Sequence, residues 1–145
     1  MEKGQRDRVR KYGEVFTPAW VVNMMCDNLP EEAWEPGATF LEPTCGDGAF
    51  VVEILRRKFA RCEKRSDFTD ALCSVYAMEI QADNVKKCID NVVTLCCEFF
   101  VPTKKEIGII NNHVIQADAL KVMRMMNDPR LQPDGRRKET EETNG

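Results

Sequence analysis

The sequence predicts an α/β fold, a parallel sheet whose strands are joined by crossover helices, and three observations carry this. Strand-like and helix-like segments alternate three times after a leading helix, the pattern of repeated βα units. The run Phe40-Leu41-Glu42-Pro43-Thr44-Cys45-Gly46-Asp47-Gly48-Ala49-Phe50 reads as a short strand, an acidic end, a glycine-bearing loop and a helix start. Each expected strand also ends in an acid, Glu42, Glu79 or Asp118. All three would lie along the carboxyl edge, where sheets of this kind bind ligands.

The elements follow in order. Residues 17–29 are expected to be helical: Thr17 can cap, Pro18 suits the first turn, and Val21, Val22, Met25 and Leu29 share a face. Pro30 and the stretch ending in Pro36-Gly37 make a turn. Thr39 to Glu42 is the first strand. Asp47 offers an N-cap for a helix through about Arg61, with Phe50, Val51, Ile54, Leu55 and Phe59 as its buried stripe. Residues 62–70 form a polar connector, or the frayed end of that helix with a loop.

Cys73 to Ile80 is apolar enough to be a buried parallel strand. Ala82 to about Phe100 is a second helix, with Val85, Cys88, Ile89, Val92, Val93 and Cys96 at helical spacing. Pro102-Thr103-Lys104-Lys105 breaks it. Asn112 to Gln116 is the third strand, closed by Ala117-Asp118, and Leu120 to Met126 is a short helix. From Asp128 onward the chain is charged and lacks periodicity, as in a disordered tail. The expected organisation is a basic arm at 1–12, one domain at 13–127 and a polar tail at 128–145.

Composition narrows the function. A chain of 145 residues suffices for one domain with a core. Seven cysteines without a C-x-x-C pair, beside the single His113, argue against zinc and for reduced, mostly buried thiols. A net charge of −3 disfavours nucleic-acid binding by the whole surface. Lys3, Arg6, Arg8, Arg10 and Lys11 concentrate positive charge at the N-terminus, as a phosphate-contacting arm or as a solvated end. No apolar run reaches the roughly 20 residues of a membrane span, and no signal-peptide pattern is present, so a cytoplasmic protein is expected.

The charge of the loop narrows the ligand. Pyrophosphate loops present backbone N–H groups and a helix N-terminus to anionic oxygens. Glu42 and Asp47 flank this turn and would repel a phosphate. They suit a ligand with an ammonium and a sulfonium, which S-adenosylmethionine (SAM) carries. The G-x-G-x-x-G spacing of nicotinamide-binding loops is absent.

Taken together, these motifs resemble the adenine-specific (N6) DNA methyltransferases of restriction–modification systems. Gly13-Glu14-Val15-Phe16-Thr17-Pro18 is similar to that family's N-terminal cofactor motif, and Phe40 to Phe50 to its Asp-Pro-Ala-Cys-Gly-Ser-Gly-x-Phe loop. Val75 to Ile80 resembles the ribose-binding strand, and Ile115 to Leu120 the adenine-binding strand end. The resemblance implies a Rossmann-like SAM-dependent methyltransferase fold, here a truncated parallel sheet with flanking helices. It implies that Thr17 bonds the methionine carboxylate and Glu42 faces the ammonium. Glu79 would hold the ribose hydroxyls and Asp118 the adenine amino group, with the Ala119 N–H near a ring nitrogen. Phe16, Pro18, Pro43, Cys45, Gly46, Gly48, Phe50 and Ile80 would complete the pocket. Tyr76 and Phe50 are otherwise expected in the core, and Cys45 is expected to be structural.

The chain departs from the family after Leu120. No strand ending in Asn/Asp-Pro-Pro-Tyr/Phe follows, and Asn127-Asp128-Pro129-Arg130 has neither the second proline nor the aromatic. The motif that would grip a flipped adenine is missing, as is a target-recognition domain. The chain thus resembles only the N-terminal, SAM-binding half. Catalysis on DNA would need a partner, and strand one would keep an open edge for another chain or a second copy. The alternative is an inactive SAM-binding regulatory or interaction module.

Overall fold

The computed structural model describes residues 16–130 together with Lys3, Gly4 and Arg6. Most of the expected basic arm, Gly13 to Val15 of the first motif, and the tail beyond Arg130 lie outside the described residues. The three strands are β1 (Phe40–Glu42), β2 (Val75–Glu79) and β3 (Val114–Gln116), in the order β1-β2-β3 and all parallel. Phe40 pairs with Val75 and Glu42 with Ala77; Ala77 pairs with Val114 and Glu79 with Gln116. The expected α/β architecture is therefore present as a small sheet with flanking helices, compatible with a Rossmann-like fold. Among the described residues β1 pairs on one side only, so the open edge expected for strand one is there.

Six α-helices are described: α1 (Ala19–Asp27), α2 (Ala49–Phe59), α3 (Arg65–Ser74), α4 (Ala82–Phe99), α5 (Lys104–His113) and α6 (Ala119–Asn127), with a 3₁₀ turn at Glu31–Trp34. Two of them correct the sequence reading. The connector expected at 62–70 belongs largely to α3, which also takes Cys73 and Ser74 from the expected strand. The Asp67 carboxylate accepts from the backbone of Glu63 and Lys64 at the helix start, and Phe68, Ala71 and Leu72 turn inward. Pro102 to Lys105 ends α4 but also opens α5, because Thr103 and Glu106 form a capping box. His113 is consequently a helix end rather than a strand residue.

Helix starts differ as well. Asp47 does not cap α2; Gly48 holds the N-cap position in a left-handed conformation. Thr17 does not cap α1, whose N-cap is Pro18 without a side-chain bond. The buried residues of α1 are Val22 and Cys26, four apart, while Met25 and Leu29 from the expected stripe are exposed. Burial is decided by contact with α2, which the helical pattern of α1 alone does not locate.

The core lies between one face of the sheet and the helices α2 to α5. Val75, Ala77 and Val114 meet Val51, Leu55, Leu72, Val92 and Ile110 there. Phe59 stands at its far end, with ring centroids 5.3, 5.4 and 5.8 Å from Phe68, Phe99 and Phe100. Lys58 is fully buried beside it. Its ammonium donates to the carbonyls of Glu35, Pro36 and Ala38, tying down the turn that feeds β1. Burial pushes the Lys58 pKa down to about 8.

The opposite face carries Leu41, Tyr76, Met78 and Ile115, paired side by side in the register. Leu41, Tyr76 and Ile115 are exposed, so Tyr76 is not the core residue the sequence suggests. Its ring stacks on His113 at 4.3 Å, near the amino end of the sheet.

Candidate functional site

The loop after β1 is built by two glycines. Gly46 (φ 55°) and Gly48 (φ 95°) both hold positive φ, which L side chains adopt at a cost. At Gly48 a Cβ would sit 2.7 Å from the Cys88 sulfur and 3.2 Å from its Cα, so only glycine lets α2 start this close to α4. At Gly46 a Cβ would meet the Phe16 ring at 3.5 Å, an ordinary contact. Phe16 therefore joins the segment leading into α1 to the loop.

Backbone bonds lace the strand ends together. The Cys45 N–H donates to the Met78 carbonyl at 2.9 Å, the Ala117 N–H to the Glu79 carbonyl at 3.0 Å, and the Gln116 amide to the Ile80 carbonyl at 3.2 Å. These contacts bring the three acids to one edge. Glu79 is buried, and its carboxylate accepts from the Gly46 N–H at 3.3 Å, the Gln81 N–H at 3.4 Å and the Asn84 side-chain amide at 3.4 Å. These bonds are long, and a carboxylate has about four acceptor positions. Glu42 is half-buried and accepts from the Thr44 N–H at 3.2 Å. Burial raises its pKa, the cost that a bound cation would offset. Asp118 accepts from the N–H groups of Leu120 and Lys121 through one oxygen, capping α6.

The remaining expected site residues fall around this edge. Pro43 and Cys45 continue from Glu42, Ile80 stands exposed just past Glu79, and Ala119 is the buried first residue of α6. Phe50 is half-buried and packs against the core. Thr17 and Pro18 follow Phe16 in the segment leading into α1, where the Pro18 carbonyl accepts from the N–H groups of Val21 and Val22. The Cys45 thiol is pushed well above its ordinary range, first by its hydrogen bond with Cys88 and then by burial, which suits a structural residue rather than a nucleophile. The sequence reading missed Cys88, Gln81 and Asn84. The signal for Asn84 was its place with Cys88 and Val92 at four-residue spacing on the inner stripe of α4.

Chemically the edge offers carboxylate acceptors at three strand ends. The start of α2, which has no side-chain cap, offers backbone donors. A separate cleft of about 360 Å³ opens between α1, α2 and α4. It shares Asp47, Gly48 and Ala49 with the loop, but Glu42, Glu79 and Asp118 do not line it. The strand-end chemistry lies outside that cleft. Among the described residues no helix is long and apolar enough to cross a membrane. Comparison with protein-family models, curated proteins and solved structures returns no match.

Proposed function

We propose that this chain is a SAM-binding domain of methyltransferase type. In this reading Glu79 holds the ribose hydroxyls, Glu42 faces the ammonium, Asp118 accepts from the adenine amino group, and Thr17 bonds the methionine carboxylate. The observation that carries the reading is the gathering of Glu42, Glu79 and Asp118 along the carboxyl edge, beside a loop whose Gly46 N–H reaches Glu79. The donor set fits the group: carboxylates meet hydroxyl, amino and ammonium hydrogens, and among the described residues no cationic side chain bonds to them. When bound, SAM supplies an electrophilic methyl group.

The acceptor proposed from the sequence resemblance is the N6 amino group of adenine in DNA, extruded from the duplex. These 145 residues hold no Asn/Asp-Pro-Pro-Tyr motif for gripping that base, so by themselves they are expected to bind SAM without methylating DNA. Calorimetric titration of SAM, paired with a methylation assay on adenine-containing DNA, tests both parts. SAM binding with no methyl transfer by the isolated chain is expected; absence of SAM binding would overturn the reading.

The second reading is an inactive SAM-binding regulatory or interaction module. The exposed apolar side chains on the second face of the sheet favour it. Capture of a partner with no methylation before or after its addition would decide for this reading.

A further inference from the structure

Glu79 ends β2, and its carboxylate is held from both sides. Oε2 accepts from the Gly46 N–H of the loop after β1 at 3.3 Å. Oε1 accepts from the Gln81 N–H just before α4 at 3.4 Å, and from the Asn84 side-chain amide in the first turn of α4 at 3.4 Å. The Gly46 and Gln81 donors are main chain and present whatever residue stands there. Among the described residues, Asn84 is the side chain that donates to Glu79.

The place of Asn84 argues for more than packing. The buried residues of α4 are Asn84, Cys88, Val92, Leu95 and Cys96, so an amide opens an otherwise apolar stripe. Asn84 is 0% exposed. Sinking an amide there is costly unless it is hydrogen-bonded, and its N–H group bonds to Glu79. An apolar residue would fill the space more cheaply but would leave Oε1 to the Gln81 N–H alone. Being fully buried, Asn84 does not meet a ligand; it acts on one through Glu79.

Orientation matters for the ligand class. A glutamate side chain turns about three bonds, and a diol that bonds both oxygens needs the carboxylate in one setting. Holding that setting before the ligand arrives spares the loss of rotamer freedom on binding.

We infer that Asn84 is a positioning residue for ribose recognition, fixing the Glu79 carboxylate in the orientation that takes a ribose diol. It thereby sets the preference of the site for ribose over deoxyribose. The inference rests on the SAM reading above and adds to it the residue that governs sugar specificity.

Calorimetric titration of SAM and of its 2′-deoxyribose analogue tests this on the full chain, as wild type, Asn84→Ala, Glu79→Ala and the double variant. Asn84→Ala should lose about five- to tenfold in SAM affinity. The wild-type preference for SAM over the deoxy analogue, about tenfold or more, should fall below about threefold in this variant. In the Glu79→Ala background Asn84→Ala should change SAM affinity by less than about twofold, because nothing remains for it to position. Asn84→Ser takes its place if Asn84→Ala fails to fold by circular dichroism. Equal losses in both backgrounds, or a sugar preference unchanged in the Asn84 variant, would overturn the inference and leave the SAM reading standing. A wild type that binds no SAM would overturn both.

Discussion

The side chains of Val75, Ala77 and Val114 are 5%, 1% and 6% exposed, whereas their strand neighbours Leu41, Tyr76 and Ile115 are 56%, 41% and 46% exposed. Both sets are apolar and come from the same small sheet. Composition therefore does not explain the difference; what each face meets does. The first set lies under four helices that the crossovers supply, so it sets the stability of the single chain. The second set is open among the described residues and adds little to that stability.

The largest expected effect lies deep in the covered layer. Phe59→Ala removes a 1% exposed ring that contacts three other phenylalanines, and should cost about 3–5 kcal/mol in denaturant unfolding. A loss under about 1 kcal/mol would break the assignment of stability to this layer.

Next in size is the loop. Gly48→Ala adds a methyl group 2.7 Å from the Cys88 sulfur and forces a left-handed backbone, for about 2–3 kcal/mol. Gly46→Ala meets only the backbone term, about 1 kcal/mol. Equal losses at the two positions would show that helix packing does not require Gly48.

Acid should weaken the helix layer through Glu106, which joins α5 to α3. The Thr103 hydroxyl, then the Arg65 guanidinium at 2.5 Å, hold its pKa down to about 2 from an ordinary 4.5. A lowered carboxylate pKa stabilises the fold above the unfolded value. That contribution is lost as pH falls from about 4.5 towards 2. Glu106→Gln should flatten stability against pH in this window, and an unchanged slope would contradict the assignment.

The smallest effect is expected on the bare face. Leu41→Ser should change stability by about 0.5 kcal/mol or less. A loss comparable with that of Phe59→Ala would mean the face is covered within one chain.

Most of the sheet was legible because each strand combines an apolar run with a terminal acid. The crossover helices α2 and α4 were legible from their inner stripes. Two helices escaped for particular reasons. In α3 the inward residues Phe68, Ala71 and Leu72 sit among charges, and polarity masked their spacing. In α5 the proline that ends α4 drew attention from the Thr103–Glu106 box one residue later. The uncovered face was illegible for a different reason. Val75 to Glu79 reads as a strand buried on both sides, and nothing local reveals that among the described residues only one side has a cover. At the site, the three acids and two glycines were visible in the sequence. The Asn84 contact with Glu79 and the packing of Gly48 on Cys88 were not, because both depend on where α4 lies.

The central claim is that acids at the carboxyl edge select a cationic adenosyl ligand. Parallel calorimetric titrations of SAM and ATP into the wild type and Glu79→Ala test it most directly. SAM should bind the wild type, ATP should bind at least about tenfold more weakly, and Glu79→Ala should lose about ten- to a hundredfold in SAM affinity. ATP binding as tight as SAM, or SAM binding indifferent to Glu79→Ala, would contradict the claim.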